Sequence, residues 1–200
     1  DAKIVVIAAG ANQNKNETRL DLVKKNSKII KDITLNIIKS GFNGIFLVAS
    51  NPVDIITYLV KKYSKFPAGK VIGSGTMLDT SRLAYFISDK LEINIRDVSA
   101  YILGEHGDSS FAVWSSAKVG SVLIREILPQ EELDKLLDKA KYMAYKIIEL
   151  KNETSYGIGM CLVNITNAIL NNENKVLVVS SPYDDIYLGM PSVINESGIK

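Results

Sequence analysis

The chain of 200 residues holds one cysteine, one histidine and one tryptophan. Cys161 alone closes no internal disulfide. One cysteine and one histidine also cannot build a zinc site from those two ligand types. No segment approaches the ~18 consecutive apolar residues of a membrane span. No run of five basic residues occurs, and 24 Lys and Arg stand against 22 Asp and Glu, a formal net charge of +2. That balance gives no patch for nucleic acid. No signal peptide is visible, so a cytoplasmic location is the expectation. An initiator Met is missing too. Asp1-Ala2-Lys3 runs directly into a strand-like segment, and Ser192 to Lys200 carries no closing helix. The chain therefore reads as the interior of a longer one.

What is present describes a folded domain or two. Hydrophobic residues make up 46% and charged residues 23%, which suits a packed core and argues against disorder. Residues 3–9 form a continuous, largely β-branched apolar run, as expected of a strand covered on both faces. Gly10 to Asn16 is turn-rich. Glu17 to Lys39 has helical periodicity at Leu20, Val23, Ile30, Ile33 and Ile37, with Gly41 placed to end it. Strand, helix, strand and helix follow at 45–49, 53–63, 70–72 and 78–90. Such alternation with short links implies parallel strands. Beyond this the pattern changes: a strand-like segment at 98–103, irregular structure to 124, a long helix from Pro129 to Leu150, a second over 154–171, and paired strands at 175–179 and 186–188. A boundary near Gly73 divides the two halves, 1–72 and 73–200.

Several groups of residues can carry chemistry. A full G-x-G-x-x-G phosphate loop is absent. Gly73-Ser74-Gly75 and Gly157-Ile158-Gly159 supply two glycines each, but Leu78 and Leu162 fill the third position. His106 lies between Gly104 and Gly107 on a polar turn after a strand, where functional residues gather. A lone histidine is equally at home as a structural residue, but this one has the residue type that trades protons near neutral pH. Asp79 and Arg82 are three apart on a helix. They form either a simple surface ion pair or a carboxylate that steadies an imidazole beside a guanidinium that grips a substrate carboxylate. The stretch from Gly10 to Arg19 lies at the C-terminal end of the first strand, which faces the ligand crevice in open α/β sheets. It is either a solvated loop or a segment closing over a ligand with Gln13 and Arg19.

Six segments, in order, resemble the L-lactate dehydrogenases within the lactate/malate dehydrogenase family. They are Ala9-Gly10-Ala11-Asn12-Gln13, Glu17-Thr18-Arg19-Leu20-Asp21-Leu22, Ser50-Asn51-Pro52-Val53-Asp54, Val71-Ile72-Gly73-Ser74-Gly75, Leu78-Asp79-Thr80-Ser81-Arg82 and Gly104-Glu105-His106-Gly107-Asp108-Ser109. The resemblance implies a partial doubly wound, Rossmann-type parallel sheet followed by an α+β substrate domain. It implies an NAD-dependent oxidoreductase of pyruvate fermentation and glycolysis, interconverting L-lactate and pyruvate, and a homo-oligomer, usually a tetramer. His106 would donate and accept the proton, Asp79 would orient it, Arg82 would bind the substrate carboxylate and Arg19 would polarise the ketone. Asn51 would touch both substrate and nicotinamide ribose, Thr154 would line the substrate pocket, and Gly10, Ser74 and Ile158 would lie by the cofactor. Gln13, where malate-specific relatives usually carry arginine, favours pyruvate over oxaloacetate.

Three departures temper the likeness. The glycine loop and ribose-binding acid would lie upstream of Asp1, so little turnover is expected of these 200 residues alone. The stretch Ser180 to Asp184 is shorter than usual, and the closing helix is missing. Ala84 and Tyr101 stand where fructose 1,6-bisphosphate-activated relatives carry a basic residue and a histidine, which predicts no such activation. The competing expectations are a malate or other 2-hydroxyacid dehydrogenase, and a catalytically silent fragment.

Overall fold

A computed structural model describes residues 2–11, 19–151 and 154–200, without the side chains of 19–22. The chain order is β1 (Ile4–Ile7), α1 (Arg19–Lys39), β2 (Ile45–Val48), α2 (Val53–Ser64), β3 (Val71–Gly73) and α3 (Met77–Leu91). Then come the short strands β4 (Val98–Ser99), β5 (Ile102–Leu103), β6 (Phe111–Ala112), β7 (Lys118–Val119) and β8 (Val122–Leu123). The helices α4 (Ile124–Ile127), α5 (Gln130–Lys151) and α6 (Tyr156–Leu170) follow. Three strands end the chain: β9 (Lys175–Tyr183), β10 (Ile186–Asn195) and β11 (Gly198–Ile199).

Six strands form the main sheet in the order β1-β2-β3-β9-β10-β11. The first three are parallel, with Ile4 opposite Ile45 and Phe46 opposite Val71. β2 explains why its run is apolar without interruption. Its residues alternate between two cores, Ile45 and Leu47 facing one and Phe46 and Val48 the other, so neither face meets water. Helix α6 covers the first face through Cys161, Ile165, Ala168 and Ile169. Ile30 of α1 with Val53, Ile56 and Val60 of α2 covers the second. A third core joins Leu83 and Ile87 of α3, Ile102 of β5 and Leu133, Leu136 and Ala140 of α5.

The parallel half follows the sequence expectation closely. The last hairpin does not. β9 and β10 run nine and ten residues and join the parallel sheet antiparallel to β3, with Gly73 opposite Ser180. Ser180-Ser181-Pro182 reads as a turn in sequence, yet both serines are buried and the strand continues through them. The turn itself is two residues, Asp184-Asp185, between Tyr183 and Ile186.

Gly75 also has a different job from a phosphate loop glycine. Its φ is +55°, and a Cβ there would collide with the Ser180 nitrogen and the Val179 carbonyl carbon. It lets the β3–α3 turn lie directly on β9.

Candidate active site

The C-terminal ends of β2 and β3 deliver Asn51 and helix α3 to one place. Asp79 sits in the first turn of α3, where the helix dipole favours its charge, and Arg82 follows one turn later. Opposite them, β5 leads into Gly104, which has φ +94° and exchanges two backbone hydrogen bonds with Gly189 of β10, at 3.0 and 2.8 Å. That anchored glycine starts the turn carrying His106.

The imidazole Nδ1 lies 2.6 Å from Asp79 Oδ2. The carboxylate accepts, so Nδ1 carries a proton and Nε2 is left for chemistry. Asp79 Oδ1 meets an Arg82 nitrogen at 3.4 Å. The pair is no surface ion pair: the side chains of Arg82 and Asp79 are 11% and 9% exposed. One carboxylate therefore bridges the ring and the guanidinium. Burial by itself would lower the His106 pKa. The hydrogen bond to Asp79 and the charges of Asp79 and Asp54 outweigh it, against opposition from Arg82, so the net shift is upward. Burial pushes Arg82 down, with Asp79 opposing, but a guanidinium stays charged at any ordinary pH.

Asn51, Asp79, Arg82 and His106 line one cavity of about 280 Å³ together with Lys141, Ala144, Tyr145 and Ile148 of α5. That is room for a small molecule and not for a polymer. Thr154 is not in this cavity. It lines a neighbouring one with Leu78, Tyr85 and Tyr156, and Arg82 borders both. Ser74 is buried after β3, its N–H donating to Val48, and Ile158 packs on the core under α6. Gly10 is exposed at the end of β1. Gln13 lies outside the described residues. Arg19 begins α1, with its side chain outside the description.

Sequence reasoning passed over three residues that build this site. Asn26 of α1 is 1% exposed. Its Oδ1 accepts from the Ala11 N–H and its Nδ2 donates to the Asn51 carbonyl, tying the end of β1 to Asn51. The clue was an amide at a core position of the α1 stripe, between Val23 and Ile30. Asp54 is buried in the first turn of α2, accepting from the His106 N–H at 2.9 Å and from the Ser180 hydroxyl at 2.6 Å. Asp54 closes the matching segment Ser50 to Asp54, but nothing local assigns it a partner, because Ser180 lies 126 residues away.

Two family descriptions match the chain: the lactate/malate dehydrogenase NAD binding domain over residues 1–73, and its alpha/beta C-terminal domain over 76–200. The chain belongs to the lactate/malate dehydrogenase family. The L-lactate dehydrogenase of Bacillus pumilus is 51% identical over 99% of this chain and 67% of its own length. That of Borrelia hermsii is 48% identical, over 100% and 67%. The ligand-bound crystal structure of the minor L-lactate dehydrogenase from Enterococcus mundtii superimposes with a TM-score of 0.97 at 48% identity, covering all of this chain and 68% of that one. The chain thus spans about two thirds of the length of these relatives. The family uses NAD, and two features are compatible with such a cofactor: the exposed small residues Ala8-Ala9-Gly10 beyond β1, which leave the backbone approachable, and Asn51 at the cavity wall. No described helix is long and apolar enough to cross a membrane.

Proposed function

We propose that this chain carries the substrate side of an NAD-dependent L-lactate dehydrogenase, interconverting L-lactate and pyruvate. The single observation behind the reading is the His106–Asp79 pair opening, with Arg82 and Asn51, onto one small cavity. Arg82 grips the substrate carboxylate through two parallel N–H donors, its positive charge desolvated and directional. That orients the keto carbon and aims its oxygen at His106 Nε2 and the Asn51 amide. When bound, the cofactor would supply a hydride from its reduced form, NADH, for reduction, and its oxidised form, NAD+, would accept one in the reverse direction. His106 gives its Nε2 proton to the oxygen during reduction and recovers it in the reverse direction. Asp79 holds the ring by Nδ1–H and stabilises the imidazolium. Arg19, by resemblance, polarises the carbonyl, and Gln13 faces the methyl group, where an unpaired second carboxylate would be costly once desolvated. Gly10, Ser74 and Ile158 keep the supporting roles that the resemblance gives them, whereas Thr154 lines the neighbouring cavity and meets the substrate site only through Arg82, which borders both.

A division into residues 1–72, completing the NAD side, and 73–200, the substrate side, accompanies this reading, as do a cytoplasmic location and a homo-oligomer. The test is NADH consumption by the full gene product with pyruvate and with oxaloacetate. Pyruvate is the preferred substrate, and His106→Asn lowers kcat by about 10²- to 10⁴-fold, the usual contribution of a positioned acid–base group. Gln13→Arg moves preference toward oxaloacetate. A parent enzyme with the higher kcat/KM on oxaloacetate overturns the assignment.

A further inference from the structure

Two carboxylates converge on His106 from different elements, and only one touches its ring. We propose that Asp54 is a second positioning residue for the proton transfer: it clamps the catalytic turn by the His106 backbone N–H and supports positive charge on the His106 ring. The proposal rests on the reading of His106 as the proton carrier.

Three geometrical facts carry it. Asp54 stands two residues after Pro52, so the same turn that presents Asn51 to the cavity presents this carboxylate beneath the catalytic loop. Its two oxygens are divided between two elements, Oδ2 accepting from His106 N and Oδ1 from the Ser180 hydroxyl of β9. The residue is 8% exposed, so its charge is little screened by solvent. Both partners donate, which favours the ionised form. Burial pushes the Asp54 carboxyl up from its ordinary value and Glu105 adds to that, while Ser180, the His106 N–H and the His106 charge oppose.

The electrostatic surroundings of the ring include more than these two acids. Asp79 and Arg82 face it from α3, Asp108 and Lys141 line the same cavity from the turn and from α5, and Glu105 is its chain neighbour. Asp79 is the stronger partner, through its direct bond. Asp54 adds a second negative charge near the ring and fixes the His106 backbone, so that the loop carrying the ring cannot shift without breaking the His106 N–H bond.

Asp54→Asn separates the two contributions. An amide keeps the shape, its oxygen accepting from His106 N–H and its nitrogen donating to the Ser180 oxygen, but removes the charge. In the full gene product the His106 Cε1–H resonance is assigned by its loss in His106→Asn and followed in a proton–carbon NMR titration without turnover. The expected result is a His106 pKa lower than the parent's by about half a unit in Asp54→Asn, the scale of one partly screened charge. Ser180→Ala keeps the Asp54 charge and does not lower it. Asp79→Asn lowers it further. An unchanged pKa in Asp54→Asn, with a fall in Asp79→Asn, overturns this inference and leaves the functional reading intact. No fall in either overturns both. If Asp54→Asn does not fold, the His106 amide of the parent decides: its proton shift follows the ionisation of a carboxyl above the usual aspartate range, and an amide that reports no carboxyl step contradicts the clamp.

Discussion

Single side chains here work in shared pairs. Asp79 divides its oxygens between His106 and Arg82, so a change at either partner is felt at the other. Arg82→Lys keeps the charge but loses the fork. The expected outcome is a KM for pyruvate raised about 10- to 100-fold, the loss of one charge-assisted hydrogen bond of about 1.5–3 kcal/mol, measured by steady-state kinetics on the full gene product. Gly75 shows the same economy in the backbone. Its positive φ and its contact with the β9 backbone predict that Gly75→Ala costs more than the ~1–2 kcal/mol of the left-handed conformation alone, read as a lowered midpoint in urea unfolding. The residues easiest to place from sequence are those whose neighbours already narrow their setting, such as His106 on a turn between two glycines. The roles of Asp54, Asn26 and Ser180 do not follow from their own segments because their partners are distant in the chain.

Among elements, the legible ones were those with period. The alternating cores of β2 and the apolar stripes of α1 and α2 are local patterns, and they appeared where expected. The β9–β10 hairpin is longer than its sequence pattern suggests, because buried serines and a proline imitate a turn. The sheet joining β9 to β3 is a long-range choice that no window of residues contains. Helix α6 is the largest apolar contribution to one face of that sheet. Ile165→Ala, at a fully buried position, is expected to destabilise the fold by about 2–5 kcal/mol, seen as a lower midpoint in chemical denaturation. Helices α3 and α5 are fastened at the surface as well: hydrogen bonds from Lys90 and Lys135 hold the Glu132 carboxyl down to about 2. A carboxylate depressed in the folded state supports the fold above its ordinary value of 4.5, and the support fades as pH falls toward 2. Lys90→Met therefore makes acid unfolding begin at a higher pH, followed by circular dichroism at low salt.

At the scale of the whole molecule, the walls of one small cavity come from the segment after β2, from α3 and α5, and from the turn after β5. Such a site exists only when both halves of the chain are folded together. The His106–Asp79 contact couples fold and chemistry through pH. His106 is raised above its ordinary value of 6.5, so the contact supports folding fully below about pH 6.5 and loses that support as pH rises through the raised value. With His106 as the proposed proton carrier, the same ionisation governs turnover, because reduction of a keto acid needs the protonated ring and oxidation of a hydroxy acid needs the neutral one. Removing the Asp79 charge must therefore move both. The decisive measurement is the pH dependence of kcat/KM for pyruvate reduction in the full gene product, parent against Asp79→Asn. The parent curve falls as pH rises through a value above 6.5, and the variant curve falls at lower pH with a lower plateau. Two curves of the same shape and position would contradict the proton-carrier role on which the account depends.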